Sequence, residues 1–203
     1  MPGRPLRVVK VGGSLFSLPQ LAESLHAWLS SRPTCMNVLI AGGGALADAV
    51  RQFDQTQSLG EEFAHWLCVD AMSLSAQTLA RCLGVRLIDR FAELQPFCAA
   101  GNELTCVFDV RKFLRHREPQ CHGSSLPHGW HVTSDSIAAR LAEVLQTDEL
   151  VLLKSAPAGD DDIVALSRRG YVDAYFPTAA RFAPEVQFVN LRDVAAPSES
   201  QPG

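Results

Sequence analysis

Two stretches near the start of the chain share one pattern of apolar and polar positions. Arg7-Val8-Val9-Lys10-Val11 runs into Gly12-Gly13-Ser14-Leu15, and Val38-Leu39-Ile40-Ala41 runs into Gly42-Gly43-Gly44. Continuous apolar runs of this length predict strands buried on both faces, as in a parallel sheet. Helical spacing fills the segments between such runs. Leu18 to Leu29 carries apolar residues at 18, 21, 22, 25, 28 and 29 and stops at Ser30-Ser31-Arg32-Pro33, and Ala45 to Phe53 is amphipathic. Leu59 to Leu83 predicts one long helix with Phe63, Trp66, Leu67, Ala71, Leu74, Leu79 and Leu83 on its buried face and Gly84 as its stop.

Further along, Val85 to Ile88 predicts a short strand, a weak helix lies near Ala92, and Leu104 to Phe108 predicts another strand. A loop rich in His, Gly, Ser and Pro covers Glu118 to Gly129. Then come a helix from Ile137 to Leu145, a buried strand from Glu149 to Lys154 and a polar loop with Asp160, Asp161 and Asp162. A short helix ends near Arg169-Gly170, and a last strand runs from Val186 to Asn190. Strands alternating with helices in this order predict an α/β fold, a three-layer α/β/α sandwich around a mostly parallel central sheet. At 203 residues the chain suits one such domain, residues 1–195, followed by a disordered Pro/Ser/Gly tail, residues 196–203.

Charged residues make up 20% of the chain and hydrophobic ones 47%, a globular balance. A formal charge of −4 argues against nucleic acid or an anionic membrane as the main partner. No apolar run reaches the ~18 residues of a membrane helix, and Met1-Pro2-Gly3-Arg4-Pro5 has no apolar segment behind it, so the expected location is the cytoplasm. Six cysteines without paired spacing are expected to be reduced thiols.

Both glycine turns are suited to anions, because glycines let backbone N–H groups converge and a helix starting beyond the turn adds its positive end. In a parallel sheet they fall at the carboxyl edge, where ligands bind, together with Lys10 and Lys154. The expected partner is therefore a small anionic substrate. Other chemistries have weaker signals. Gly42-Gly43-Gly44-Ala45-Leu46-Ala47 also fits a dinucleotide turn, but the acidic strand that motif needs is replaced by a long helical segment. Cys121, His122, His128 and His131 crowd one loop in a spacing that matches no closed zinc site. No P-loop motif and no serine-nucleophile elbow is present.

Lys10-Val11-Gly12-Gly13-Ser14, then Ala41-Gly42-Gly43-Gly44, then Thr133-Ser134-Asp135-Ser136 resembles, in order and spacing, the amino acid kinase superfamily, over residues 6 to 155. The segment from Gly42 to Arg51 and the block from Trp130 to Ser136 are most similar to the methanofuran-biosynthesis kinase group. This resemblance implies transfer of the γ-phosphoryl of ATP, with Mg²⁺, to an aminomethylfuran phosphate, and a homodimer. It implies catalytic roles for Lys10, Asp135 and Lys154, nucleotide contacts at Gly12, Gly13, Ser14, Ser134 and Lys154, and acceptor contacts at Gly42, Gly43, Gly44 and Arg51. Asp48 and Asp70 are candidates for the acceptor's ammonium, while Arg111, Lys112 and Arg115 suit a solvated basic face.

The chain also departs from that pattern. Lys154-Ser155-Ala156-Pro157-Ala158-Gly159 stands where the superfamily has an aspartate-rich nucleotide turn, and no lysine follows Lys154. The family's second lysine is then replaced by Lys154 itself or by an arginine such as Arg168 or Arg181, or the nucleotide is held differently. Two alternatives remain: a kinase-fold binding or regulatory subunit without the reaction, and an enzyme of the uridylate or acetylglutamate kinase type.

Overall fold

The structure, a computed structural model, describes residues 4–100, 104–159 and 162–194. The expected tail, along with Asp160 and Asp161 of the acidic loop, lies outside these residues. Six strands form one sheet: β1 (Leu6–Val11), β2 (Met36–Ala41), β3 (Arg86–Ile88), β4 (Thr105–Phe108), β5 (Glu149–Lys154) and β6 (Glu185–Asn190). Their order across the sheet is β3-β4-β2-β1-β5-β6, and every pairing is parallel. The chain goes to one side of β1 for β2 and returns to its other side for β5. Such a reversal opens a crevice at the carboxyl ends of the strands involved.

Alternation along the central strands divides the core into two layers. Val8, Val38, Ile40, Leu150 and Leu152 pack on one face with α5 (Ser134–Leu145) and α4 (Phe91–Ala100). Val9, Val11, Leu39, Val151 and Leu153 pack on the other with α1 (Leu21–Ser31) and the carboxyl half of α3 (Glu61–Leu83). Because both faces are covered, β1 and β2 tolerate no polar residue unless it is paired. Arg7 shows this: it is buried between Glu149 and Asn37, and the Asn37 Oδ1 accepts from its Nη1 at 3.0 Å. Two short helices, α6 (Ile163–Arg168) and α7 (Phe176–Ala179), complete the fold beyond β5. The pattern of apolar residues did not reveal α7. No helix among the described residues is long and apolar enough to cross a membrane.

Two expectations need correction. The segment after Gly12 is a five-residue 3-10 turn, Gly13–Ser17, and α1 starts only at Leu21, so the first glycine turn has no full helix behind it. The inward stripe of α3 only partly follows the expected row: Ala71, Leu79 and Leu83 are buried, but Phe63 and Leu74 are more than half exposed. Ala64, Val69, Met72 and Ala76 take the inner positions instead, and the alanines among them let the helix lie close to its neighbours.

The two glycine turns touch each other through backbone alone. A Cβ built on Gly13 would stand 2.3 Å from the amide nitrogen of Gly44, and one on Gly42 would stand 2.7 Å from that of Gly13. Gly44, the first residue of α2 (Gly44–Gln57), has φ +54, a conformation that also favours glycine. Gly13→Ala must therefore push backbone against backbone, and its expected cost is about 1–3 kcal/mol of stability. Chemical denaturation of this variant beside Gly60→Ala, where a Cβ meets nothing within 4 Å, separates this crowding from the penalty of a positive φ.

Candidate functional site

Lys10 lies on β1 opposite Leu152 of β5, and Lys154 is two residues further along β5. The period of two along a strand puts both lysines on the sheet face covered by α5. There Asp135, in the first turn of α5, stands between them. Lys10 Nζ is 2.8 Å from its Oδ1, and Lys154 Nζ donates to its Oδ2 at 2.8 Å. Both oxygens of Asp135 thus face an ammonium, Oδ1 that of Lys10 and Oδ2 that of Lys154. Lys154 Nζ donates a second bond, at 2.7 Å, to the carbonyl oxygen of Tyr171.

Two ammonium groups share the carboxylate of Asp135 in a nearly dry setting. Burial pushes the Asp135 carboxyl upward, but the charges of Lys10 and Lys154 outweigh it and hold the group below its ordinary value. Burial and then the charge of Lys10 push Lys154 down to about 8, with Asp135 opposing them. Of the basic residues considered for a place beside Lys10, Lys154 is the one bonded to Asp135.

Beside this triad lies a cavity of about 290 Å³. All four residues expected to meet the acceptor, Gly42, Gly43, Gly44 and Arg51, line it. Gly13, Ser14 and Ser134, assigned to the nucleotide side, line it too, so the first glycine turn and the start of α5 form a wall shared with this cavity. Ser14 Oγ is also 2.8 Å from Ser155 Oγ, which links the turns after β1 and β5. Arg51 is clamped by Asp48 at 2.5 Å and lies 5.5 Å from the ring centre of Trp130, whose indole nitrogen donates to Asp54 Oδ2 at 2.9 Å. Val69, Met72, Val132 and Ile137 supply an apolar lining.

Several residues of this site were not legible beforehand. His65, also in the cavity wall, has its Nδ1 3.2 Å from the carbonyl oxygen of Gly129, and burial pushes its pKa down. Trp130 gave no signal as the support of Arg51. Asp173 went unnoticed although it accepts from the backbone amides of Thr133, Ser136 and Phe176 and from the hydroxyls of Thr133 and Ser136. The available clue was a helix start, Thr133-Ser134-Asp135-Ser136, whose own threonine makes no capping bond.

Other candidates stand elsewhere. Asp70 faces Arg111 at 3.8 Å and Arg115 at 3.7 Å, outside the cavity lining, and Lys112 pairs with Asp89 at 2.5 Å. The basic cluster is therefore a paired surface. In the histidine-rich loop, Cys121 Sγ donates to the carbonyl of Arg117, His128 stacks on His65, and His131 meets Glu61. Among the described residues no three His, Cys, Asp or Glu side chains converge to hold a metal ion. Asp135 and Asp173 are both engaged by protein donors.

No family model matches the chain. Over 148 residues it is 24% identical to the (5-(aminomethyl)furan-3-yl)methyl phosphate kinase of Methanocaldococcus jannaschii, a match covering 72% of this chain and 64% of that one. The chain thus spans less than two thirds of that relative's length. Solved structures with the same architecture include the uridylate kinase of Archaeoglobus fulgidus, at TM-score 0.62 and 16% identity over 90% of this chain and 89% of that one. The UMP kinase of Bacillus anthracis matches at TM-score 0.66 and 12% identity, over 95% and 89%. The aspartate kinase of Synechocystis matches at TM-score 0.58 and 13% identity, over 90% and 38%. With its six-stranded parallel sheet, the described part of the chain has the same fold as these uridylate, UMP and aspartate kinases.

Proposed function

We propose that the chain is an ATP-dependent small-molecule kinase whose acceptor is itself a phosphate monoester, an aminomethylfuran phosphate that becomes a diphosphate. The observation that carries this reading is the carboxylate of Asp135 between Lys10 and Lys154, at the edge where the two glycine turns meet. Phosphoryl transfer needs positioning and neutralisation of charge more than covalent help from the protein. Lys10 and Lys154 flank the transferring group, the turn at Gly12, Gly13 and Ser14 holds nucleotide phosphates, and Gly43, Gly44 and Arg51 hold the acceptor's phosphate. ATP arrives as the Mg²⁺ complex, and the metal offsets the charge of its phosphates.

The state of Asp135 fits this acceptor. With one oxygen hydrogen bonded and the other against an ammonium, it organises the lysines and is not available as a base. An acceptor phosphate needs none, since its second pKa of about 6 leaves the oxygen nucleophile already ionised at neutral pH. That oxygen attacks the γ-phosphorus, the bond to the β–γ bridging oxygen breaks, and ADP leaves with the electron pair. The cavity lies near the lower end of ligand-site volumes, about 300–1,000 Å³, which favours a one-ring acceptor over a nucleoside monophosphate.

Mixing the protein with Mg·ATP and aminomethylfuran phosphate is expected to release ADP and give a product heavier by one phosphoryl group. No ADP and no heavier product from any small phosphorylated acceptor, with no thermal stabilisation by Mg·ATP, leaves the binding-subunit alternative standing. Lys10→Ala is expected to lower kcat by about 10²–10³-fold, the scale for losing one electrostatic contact to a transition state. Because Lys154 acts as an ammonium and burial pushes it down to about 8, kcat/KM should be level between the acceptor's second pKa, about 6, and that pH, and fall as pH rises through it.

A further inference from the structure

The turn between α6 and α7 belongs to neither glycine loop, yet it is bonded to both sides of the charged triad. Thr133 precedes α5 in an extended conformation, φ −126 and ψ −166, and makes no side-chain capping bond. Asp173 supplies the missing acceptor from outside the helix. Its Oδ2 accepts from Thr133 N at 3.0 Å, Thr133 Oγ1 at 2.9 Å and Ser136 N at 3.0 Å. Its Oδ1 accepts from Ser136 Oγ at 2.5 Å and Phe176 N at 2.9 Å. Asp135 lies between the two residues so gripped. Two residues before Asp173, the carbonyl of Tyr171 accepts from Lys154. The turn is itself anchored, since Tyr175 N donates to His131 O at 3.0 Å and Ser167 Oγ to Asp173 O at 3.2 Å.

We propose that Asp173 is a positioning residue for phosphoryl transfer: as an external cap on α5 it aims Asp135, and with the Tyr171 carbonyl in the same turn it sets the place of Lys154. The inference rests on the kinase reading above. An ordinary cap would satisfy the same amides from Thr133 and serve stability alone. Here the cap comes from the segment that also holds the second lysine, so the distance between Asp135 and Lys154 is fixed by one short turn. Misplacement of a reacting group by about 1 Å costs about 10²-fold in rate.

Lys154 is faced by Lys10 from β1, Asp135 from α5, and Tyr171 and Asp173 from the turn, and the charge of Asp173 helps keep it protonated. Asp173→Asn keeps the size and removes that charge. It is expected to lower kcat by about 10–100-fold, to change the acceptor KM by less than about threefold, and to move the high-pH fall of kcat/KM to lower pH. Ser136→Ala removes one donor to the same carboxylate but leaves the charge, so it should leave the pH profile in place. Wild-type kcat and an unmoved profile in a folded Asp173→Asn variant overturn the proposal while wild-type turnover leaves the kinase reading intact. Absence of turnover in the wild-type protein instead refutes the kinase reading. Should Asp173→Asn fail to fold, Thr133→Val, which deletes a single hydroxyl donor, decides: a reduced kcat at unchanged KM supports the role, and wild-type kcat overturns it.

Discussion

The carboxylate of Asp135, sealed between Lys10 and Lys154, is the constraint around which the described part of the chain is arranged. Three charges in a setting this dry would each lose their hydration at a cost of several kcal/mol, and mutual attraction offsets that only when the geometry is good. The sheet provides it. β1 and β5 are adjacent and parallel, so the register that pairs Lys10 with Leu152 also places Lys154 on the same face, one pleat onward. Only the aspartate has to be delivered from a separate element, the start of α5.

The crowding of two ammonium groups has a second consequence. Burial and the charge of Lys10 depress Lys154 even with Asp135 and Asp173 opposing them. On the proposed reading, an arriving phosphoryl group adds negative charge beside both lysines. Backbone amides of the two glycine turns are the natural complement, because they stabilise an anion without bringing side chains into a space where a Cβ on Gly13 or Gly42 would already overlap main chain. Charge on one side and close-packed backbone on the other define the same small volume.

Much of this was legible in the sequence, for a physical reason. Buried parallel strands need unbroken apolar runs, and a turn whose backbone must approach another backbone needs glycine, so β1, β2, β5 and both turns announced themselves. The inner stripe of α3 did not, because Ala64, Ala76 and Ser73 serve close packing better than the large residues that periodicity favours. Asp173 was equally silent: five donors reach its carboxylate from residues 133 to 176, and pairings at that separation leave no local pattern. Arg51 was visible as a charge but not as a positioned one, since Trp130 reaches it from a distant part of the chain while only Asp48 is its neighbour on α2.

A lysine carried on a strand differs physically from one carried on a peripheral helix. The strand that carries it is flanked on both sides, by β1 as far as Leu153 and by β6 as far as Lys154 itself, which stands opposite Asn190. Its ammonium can therefore be brought into place by side-chain torsions alone, without a domain closing over the nucleotide. What such an arrangement lacks is a partner to stop the long side chain from exploring other rotamers, and the Tyr171 carbonyl at 2.7 Å together with the Tyr171 ring at 5.2 Å fills that role. The turn after α6 thus restrains one cation and caps one helix start, and residues 171 to 176 do both.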